Sequence, residues 1–315
     1  MTTTVGYGPY TYTMDTEWAK VPAHIKLGYC HGIVTDAADN VYLFHTKGPS
    51  EGMTGPSVVK FDAHGNYLAA WGDEFGGGGA HGMLLHVEDG REVLYLTDIN
   101  RGLVVKTTLD GEVLLELGVP DRPDLYDAER KYRPTDVAVA PGGDFYVADG
   151  YGQNYVHRYK ADGTYVSSFG GKGSGVGELS CPHGVSIDTR RGEPEVYVAD
   201  RSNNRIQVFT LEGEHKRFID ENMDWPCSFF FHEGDMYVPD LHSRVTIFDS
   251  NDRLITHLGE DQQLYKREGW PNLPADAFRA NRFSSPHGLC VDPGGNIYVA
   301  EWTVNGRVTK LTKQG

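Results

Sequence analysis

Pro182-His183-Gly184-Val185-Ser186-Ile187 sets a short phrase directly before a strand-like run, and the phrase returns along the chain. Its six occurrences are Cys30-His31-Gly32, Ala80-His81-Gly82, Pro134-Thr135-Asp136, Pro182-His183-Gly184, Pro226-Cys227-Ser228 and Pro286-His287-Gly288. The central residues are 50, 54, 48, 44 and 60 positions apart, the range expected of four-stranded propeller blades with loops of unequal length. Each phrase leads into a run such as Val137-Ala138-Val139 or Leu289-Cys290-Val291. An acidic or Gly-containing turn such as Asp292-Pro293-Gly294-Gly295-Asn296 follows, which is a hairpin signal.

The second run of each repeat is continuously apolar, as in Val41-Tyr42-Leu43-Phe44, Phe145-Tyr146-Val147-Ala148 and Ile297-Tyr298-Val299-Ala300, which predicts strands covered on both faces. Third runs of the type Arg205-Ile206-Gln207-Val208-Phe209 and fourth runs ending in Gly, such as Tyr165-Val166-Ser167-Ser168-Phe169-Gly170, complete each unit. The sixth repeat stops after its third run, while Tyr10-Thr11-Tyr12-Thr13 is strand-like and unassigned. An N-terminal strand is therefore expected to complete the last blade and leave no open edge. The prediction is an all-β, six-bladed β-propeller over residues 1–315 as a single domain, with 1–24 as closing strand and lead-in. Pro239, near the end of a second run, calls for a bulge.

Gly 39, Pro 16 and Tyr 18 in 315 residues agree with many short strands and turns. A net charge of -15 argues against nucleic acid or an anionic membrane surface as the main partner, because both reward clustered Lys and Arg. A small solute or a cation suits it better. Residues 1–24 lack a basic n-region followed by an apolar run, and no stretch is apolar for long enough to span a bilayer, so a cytoplasmic location is expected. Cys30, Cys181, Cys227 and Cys290 are too few and scattered for a disulfide framework and read as small buried residues at strand starts.

In a propeller the innermost strands line the central channel, so the residues just before them converge at one mouth. His31, His81, His183 and His287 occupy four of these six positions, and converging neutral imidazoles are the usual ligands of a transition metal with an open position. His45, Asp98, Asp149, Asp200, Asp240 and Glu301 end the second runs, and such acids ordinarily bond to turn amides or to a nearby Arg. Lys47, Asn100, Tyr151, Arg201, His242 and Trp302 lie just beyond them and project to the same mouth. Tyr151 and Arg201 flank His183 on neighbouring blades. A phenol near a metal loses its proton more easily and serves as a base, and a guanidinium clamps a carboxylate with two bonds.

The stretches Pro134-Thr135-Asp136-Val137-Ala138-Val139, Val147-Ala148-Asp149-Gly150-Tyr151, Cys181-Pro182-His183-Gly184 and Val198-Ala199-Asp200-Arg201-Ser202-Asn203-Asn204-Arg205-Ile206-Gln207-Val208-Phe209 resemble the NHL-repeat propellers. More narrowly they resemble the peptidyl-α-hydroxyglycine α-amidating lyases. That resemblance implies a six-bladed propeller with a catalytic zinc, or another divalent transition metal, held by His81, His183 and His287. It implies that Tyr151 is the base and Arg201 a substrate-binding arginine. The family has a further arginine near Phe44-His45-Thr46-Lys47-Gly48, where this chain offers Lys47, which lacks the bidentate fork. An Asp that the family uses for a structural calcium is replaced by Gly288, which puts calcium in doubt. The family's disulfide cysteines correspond to Tyr132, Gly152, Tyr197 and Val208, in keeping with a reducing compartment. His31 is additional to the triad and is a candidate fourth ligand.

The reaction so implied is cleavage of an N-acyl carbinolamine. Zinc acidifies the substrate hydroxyl, Tyr151 takes its proton and the C–N bond breaks, giving an amide and a carbonyl product such as glyoxylate. The substrate is a small molecule with a carboxylate and need not be a peptide, since no hydroxylating domain is found in these 315 residues. The rival readings are a non-catalytic NHL-type binding module, another metal-dependent lyase or hydrolase on the same propeller, and a calcium-dependent lactonase. A binding module has no use for three axial His with Tyr and Arg, and a lactonase wants a channel rich in carboxylates.

Overall fold

The computed structural model describes residues 3–46, 55–75 and 78–315. The chain is an all-β, six-bladed propeller with six antiparallel sheets and, among the described residues, only single turns of 3-10 helix outside them. Among the described residues no helix is long and apolar enough to cross a membrane. The fold groups into two compact units. One comprises Met1–Gly78 with Phe229–Gly315 and carries blades 1, 5 and 6; the other, Gly79–Ser228, carries blades 2, 3 and 4.

In the Gly79–Ser228 unit the sheets run Ala80–Glu88, Arg91–Asp98, Leu103–Thr108 and Val113–Leu117, then Asp136–Val139, Phe145–Ala148, Tyr155–Tyr159 and Tyr165–Gly170, then Pro182–Asp188, Glu195–Asp200, Arg205–Phe209 and His215–Ile219. The register follows the apolar runs: Val147 sits opposite both Val137 and His157, and Val198 opposite Val185 and Gln207. In the other unit the blade 6 sheet consists of Pro286–Val291, Ile297–Glu301 and Arg307–Lys313, extended by Tyr12–Asp15 along Arg307–Lys313, with Tyr12 opposite Lys313 and Met14 opposite Leu311. A fifth strand, Thr3–Val5, adds outside Tyr12–Asp15 and was not anticipated from its sequence.

The second strands are the buried ones, since a middle strand has neighbours on both edges and packing on both faces. Each carries a Tyr at the same register, Tyr42, Tyr95, Tyr146, Tyr197, Tyr237 and Tyr298, all at most 2% exposed. Burying a phenol requires a partner for its hydroxyl. Tyr42 and Tyr298 donate to the turn carboxylates of Asp36 and Asp292, and Tyr95 donates to Glu88. Pro239 needs no bulge. It pairs in register with Val245, and the inner strand of that blade, Phe230–His232, extends only as far as Tyr237, so no ladder partner lies on that edge.

Close approach between consecutive blades explains the Gly of the repeated phrase. A Cβ on Gly82 would lie 2.5 Å from the Thr135 carbonyl oxygen, and one on Gly184 would lie 2.4 Å from that of Cys227. One on Gly288 would lie 2.1 Å from the carbonyl oxygen of His31. Backbone is the obstacle in each case, so no rotamer change relieves it. Gly184→Ala is expected to lower the unfolding free energy by about 3 kcal/mol, the upper part of the usual range for overpacking. A denaturant titration that finds less than about 0.5 kcal/mol contradicts the close approach.

Candidate metal centre

The phrase histidines are buried, with His81 and His183 each 1% exposed, His287 4% and His31 6%. In the Gly79–Ser228 unit, Nδ1 of His81 lies 2.7 Å from the carbonyl oxygen of Thr135, and Nδ1 of His183 lies 2.8 Å from that of Cys227. A carbonyl only accepts, so both Nδ1 atoms carry the proton and both Nε2 atoms present a lone pair. Those lone pairs meet the Tyr151 hydroxyl, 3.3 Å from Nε2 of His81 and 3.0 Å from Nε2 of His183. The two imidazoles face each other edge-on with centroids 4.7 Å apart.

The same device appears in the other unit. Nδ1 of His287 faces the carbonyl oxygen of His31 at 3.3 Å, while Nε2 of His287 is 3.3 Å from Nδ1 of His31. The six phrase positions thus fall into two alternating classes. His81, His183 and His287 donate Nδ1–H to the backbone; Thr135, Cys227 and His31 supply the accepting carbonyls. In supplying a carbonyl, His31 falls by position with Thr135 and Cys227, a distinction that its residue type does not reveal.

Tyr151 is placed by the turn after Phe145–Ala148. Gly150 is required there, since a Cβ would lie 2.4 Å from the carbonyl oxygen of Pro182. Nη2 of Arg201 donates to the Tyr151 hydroxyl at 3.2 Å, and the guanidinium lies over the rings of Tyr151 and Trp225 at 5.3 and 5.6 Å from their centroids. Trp225 was not anticipated, because a single Trp in a loop carries no sequence signal of its own.

Burial pushes the His81 imidazolium down to about 3, so the ring is neutral and its Nε2 is available at any ordinary pH. Burial pushes the Tyr151 phenol up to about 12, with the Arg201 charge pulling the other way. For Arg201 itself burial works against the charge, but the phenol beside it raises its affinity for the proton overall. Around the Tyr151 oxygen there are therefore two imidazole lone pairs, one phenol proton and a fixed positive charge.

This donor set fits a borderline-soft cation. Neutral imidazoles with Nδ1–H tied to backbone carbonyls are the usual form of protein ligands to zinc and related metals. Among the described residues, the phrase-position side chains able to ligate such a cation are His81, His183 and Cys227 in the Gly79–Ser228 unit and His31 and His287 in the other. The cysteines are free, and burial raises the Cys30 thiol to about 12 and raises Cys181 as well, so neither is a ready thiolate.

The acids ending the second strands are structural, as their spacing implied. Asp98 accepts the N–H groups of Asn100 and Arg101, Asp200 accepts from Ser180, Asn203, Arg205 and Gln207, and Glu301 binds Arg307 and Thr309. Of the residues beyond them, His242 stacks on Tyr265 at 4.2 Å and Trp302 packs against Tyr29 at 5.1 Å. Lys47 lies outside the described residues.

Fold and site define the class, an NHL-repeat propeller with buried imidazoles, a tyrosine and an arginine. The NHL repeat model matches residues 132–158, 179–209 and 283–311. The chain is homologous, at modest identity, to the peptidyl-α-hydroxyglycine α-amidating lyases. It is 27% identical to peptidyl-alpha-hydroxyglycine alpha-amidating lyase 1 of Drosophila melanogaster over 344 aligned positions, covering 92% of this chain and 58% of that protein. It is also 26% identical to NHL repeat-containing protein 3 of Homo sapiens, covering 63% of this chain and 56% of that one, so it spans little more than half the length of either relative. A solved streptogramin B lyase superposes with a TM-score of 0.61 at 12% identity, over 96% of this chain and 98% of that one, a likeness of fold alone.

Proposed function

We propose that this protein is a metal-dependent carbon–nitrogen lyase acting on an N-acyl α-hydroxyglycine or a similar carbinolamine that carries a carboxylate. The observation that carries the reading is the Tyr151 hydroxyl set between the Nε2 lone pairs of His81 and His183 with Arg201 beside it. Homology to amidating lyases supports it.

His81, His183 and His287 would hold the ion, zinc or another divalent transition metal, through Nε2. When bound, the ion acidifies the substrate hydroxyl and favours the charge that develops on its oxygen. Arg201 binds the substrate carboxylate through its guanidinium fork and fixes the orientation of the scissile bond. Tyr151, whose phenol a bound ion and the neighbouring Arg201 would both make more acidic, would take the hydroxyl proton. As the C–N bond breaks, the hydroxyl carbon becomes the aldehyde carbon of glyoxylate. The bonding pair passes to nitrogen, and Tyr151 returns the proton there to complete the amide. No water is consumed, so the step is an elimination. The His81 ring, neutral across the working range, is not the group that moves the proton, and the phenol of Tyr151 takes that role.

Metal analysis of the purified protein tests the reading. One transition-metal ion per chain is expected, and removal by chelator should lower thermal stability. Restoring zinc to about 1,000 times its Kd should then raise the unfolding free energy by about 4 kcal/mol. Protein without stoichiometric metal, indifferent to chelator and inert towards N-benzoyl-α-hydroxyglycine, overturns it.

A further inference from the structure

The acids that end the second strands of blades 4, 5 and 6 are each paired with an Arg that opens the third strand. Arg205 Nε lies 2.7 Å from Asp200, Arg244 Nε lies 2.8 Å from Asp240, and Arg307 Nε lies 2.6 Å from Glu301. In blade 3, which bears Tyr151, that position is Tyr155, whose carbonyl receives the Asp149 N–H at 2.8 Å. Asp149 is fully buried and its side-chain partner is instead the Tyr126 hydroxyl, 2.8 Å from Oδ2.

That hydroxyl is also 2.6 Å from Nε2 of His157, whose Nδ1 is 2.7 Å from the Ser168 hydroxyl; Ser168 in turn meets Tyr165, and Tyr165 meets Arg122. An ionised carboxylate only accepts, and this orders the whole chain. Tyr126 donates to Asp149, His157 donates to Tyr126 from Nε2, and Ser168 donates to Nδ1 of His157. The other carboxylate contacts are backbone N–H groups that shape the Tyr151 turn. Arg133 donates to Oδ1 at 2.6 Å and Gln153 to Oδ2 at 2.5 Å, while the Gly152 N–H bonds to the Asp149 carbonyl at 3.2 Å.

We propose that Tyr126 and His157 are positioning residues: they hold the Asp149 carboxylate, and through it the 149–154 turn that presents the Tyr151 phenol. The inference rests on the role given to Tyr151 above. Blades 4 to 6 lock the equivalent acid with a guanidinium, whereas blade 3 uses a neutral phenol–imidazole chain and leaves Asp149 able to take up a proton. Burial pushes Asp149 up to about 6, against the Gln153 and Arg133 amides and the Tyr126 hydroxyl, which favour the ionised form. His157, pushed down to about 3 by burial, stays neutral. The other titratable groups facing the carboxylate are the phenols of Tyr132 and Tyr159, both pushed up by burial, and the Arg133 guanidinium, with the Tyr155 phenol beside Tyr126. The sign follows: as pH falls through about 6 the carboxyl gains a proton, one accepting oxygen becomes a donor facing N–H groups, and the turn loosens.

The test is amide hydrogen exchange of residues 149–154 at pH 5 to 8, corrected for the intrinsic rate, beside the pH profile of kcat. Wild-type protection and kcat should both fall on the acid side with a midpoint near 6. Tyr126→Phe removes a bond that favours the carboxylate, so both midpoints should rise by about one pH unit, with KM little changed. Tyr126→Phe combined with Tyr155→Arg, which installs the arrangement of blades 4 to 6, should return both midpoints to the wild-type value or below. Protection that is independent of pH in the wild type, or midpoints unmoved in Tyr126→Phe despite a lowered Tm, overturns the proposal. Exchange that follows the pattern in a protein without turnover upholds the positioning of the turn and counts against the lyase reading instead.

Discussion

Tyr151→Phe should retain its metal and lose about 1,000-fold in kcat on an N-acyl α-hydroxyglycine, within the range attributed to a positioned acid–base group. The change removes one oxygen and leaves the ring, so the packing of Arg201 on its face survives. What goes is the hydroxyl that lies within hydrogen-bond distance of Nε2 of both His81 and His183. Loss of the hydroxyl leaves the imidazoles with their Nδ1–H bonds to Thr135 and Cys227 intact, so metal content is the control that isolates proton transfer from site assembly. Single-turnover and steady-state rates should fall together, because proton movement and C–N cleavage belong to the same step. A variant with wild-type kcat removes Tyr151 from the mechanism, and a variant without metal makes it part of the binding set.

The second large effect concerns the ion itself. His183→Ala removes an Nε2 lone pair and also strands the Cys227 carbonyl that its Nδ1–H satisfies. Loss of an outer partner of a metal ligand typically costs 10- to 100-fold in affinity, and loss of the ligand costs more. Metal affinity should therefore drop by at least about 100-fold, with turnover lost in parallel. Cys227→Ala and His31→Gln give the contrast. Cys227 and His31 face Nδ1 of His183 and His287 through backbone carbonyls, which these substitutions leave in place, so on the proposed reading both variants should keep stoichiometric metal. Isothermal titration of zinc into the metal-free proteins measures all three. If His31→Gln weakens binding as much as His183→Ala, the alternation between donor and carbonyl positions does not select the ligands.

Much of the blade structure was legible because strand burial writes itself into the chain twice. The continuous apolar second strands and the Gly-containing turns mark each hairpin, and the truncated sixth repeat pointed to the strand at Tyr12–Asp15. Thr3–Val5 was missed because three residues are too few for any period to register. The bulge expected at Pro239 proved unnecessary for a reason that no local pattern contains, namely how far the neighbouring inner strand extends. At the candidate site, Tyr151 and Arg201 were singled out from their place beyond the second strands, and the structure sets them side by side. Tyr126 and His157 were not, since one lies in a loop between blades and the other reads as an ordinary third-strand residue.

By itself the sequence determined the six-fold repeat, the all-β blades and the set of residue types brought to the phrase positions, because period and composition act through local burial and turn geometry. Tertiary structure alone decided what each imidazole does. His31 and His287 share one phrase and one residue type, yet one donates Nδ1–H to a neighbouring carbonyl and the other supplies that carbonyl. A tautomer is fixed by the group that faces it, and that group belongs to the next blade, 54 residues along the chain for His81, 44 for His183 and, for His287, near its opposite end.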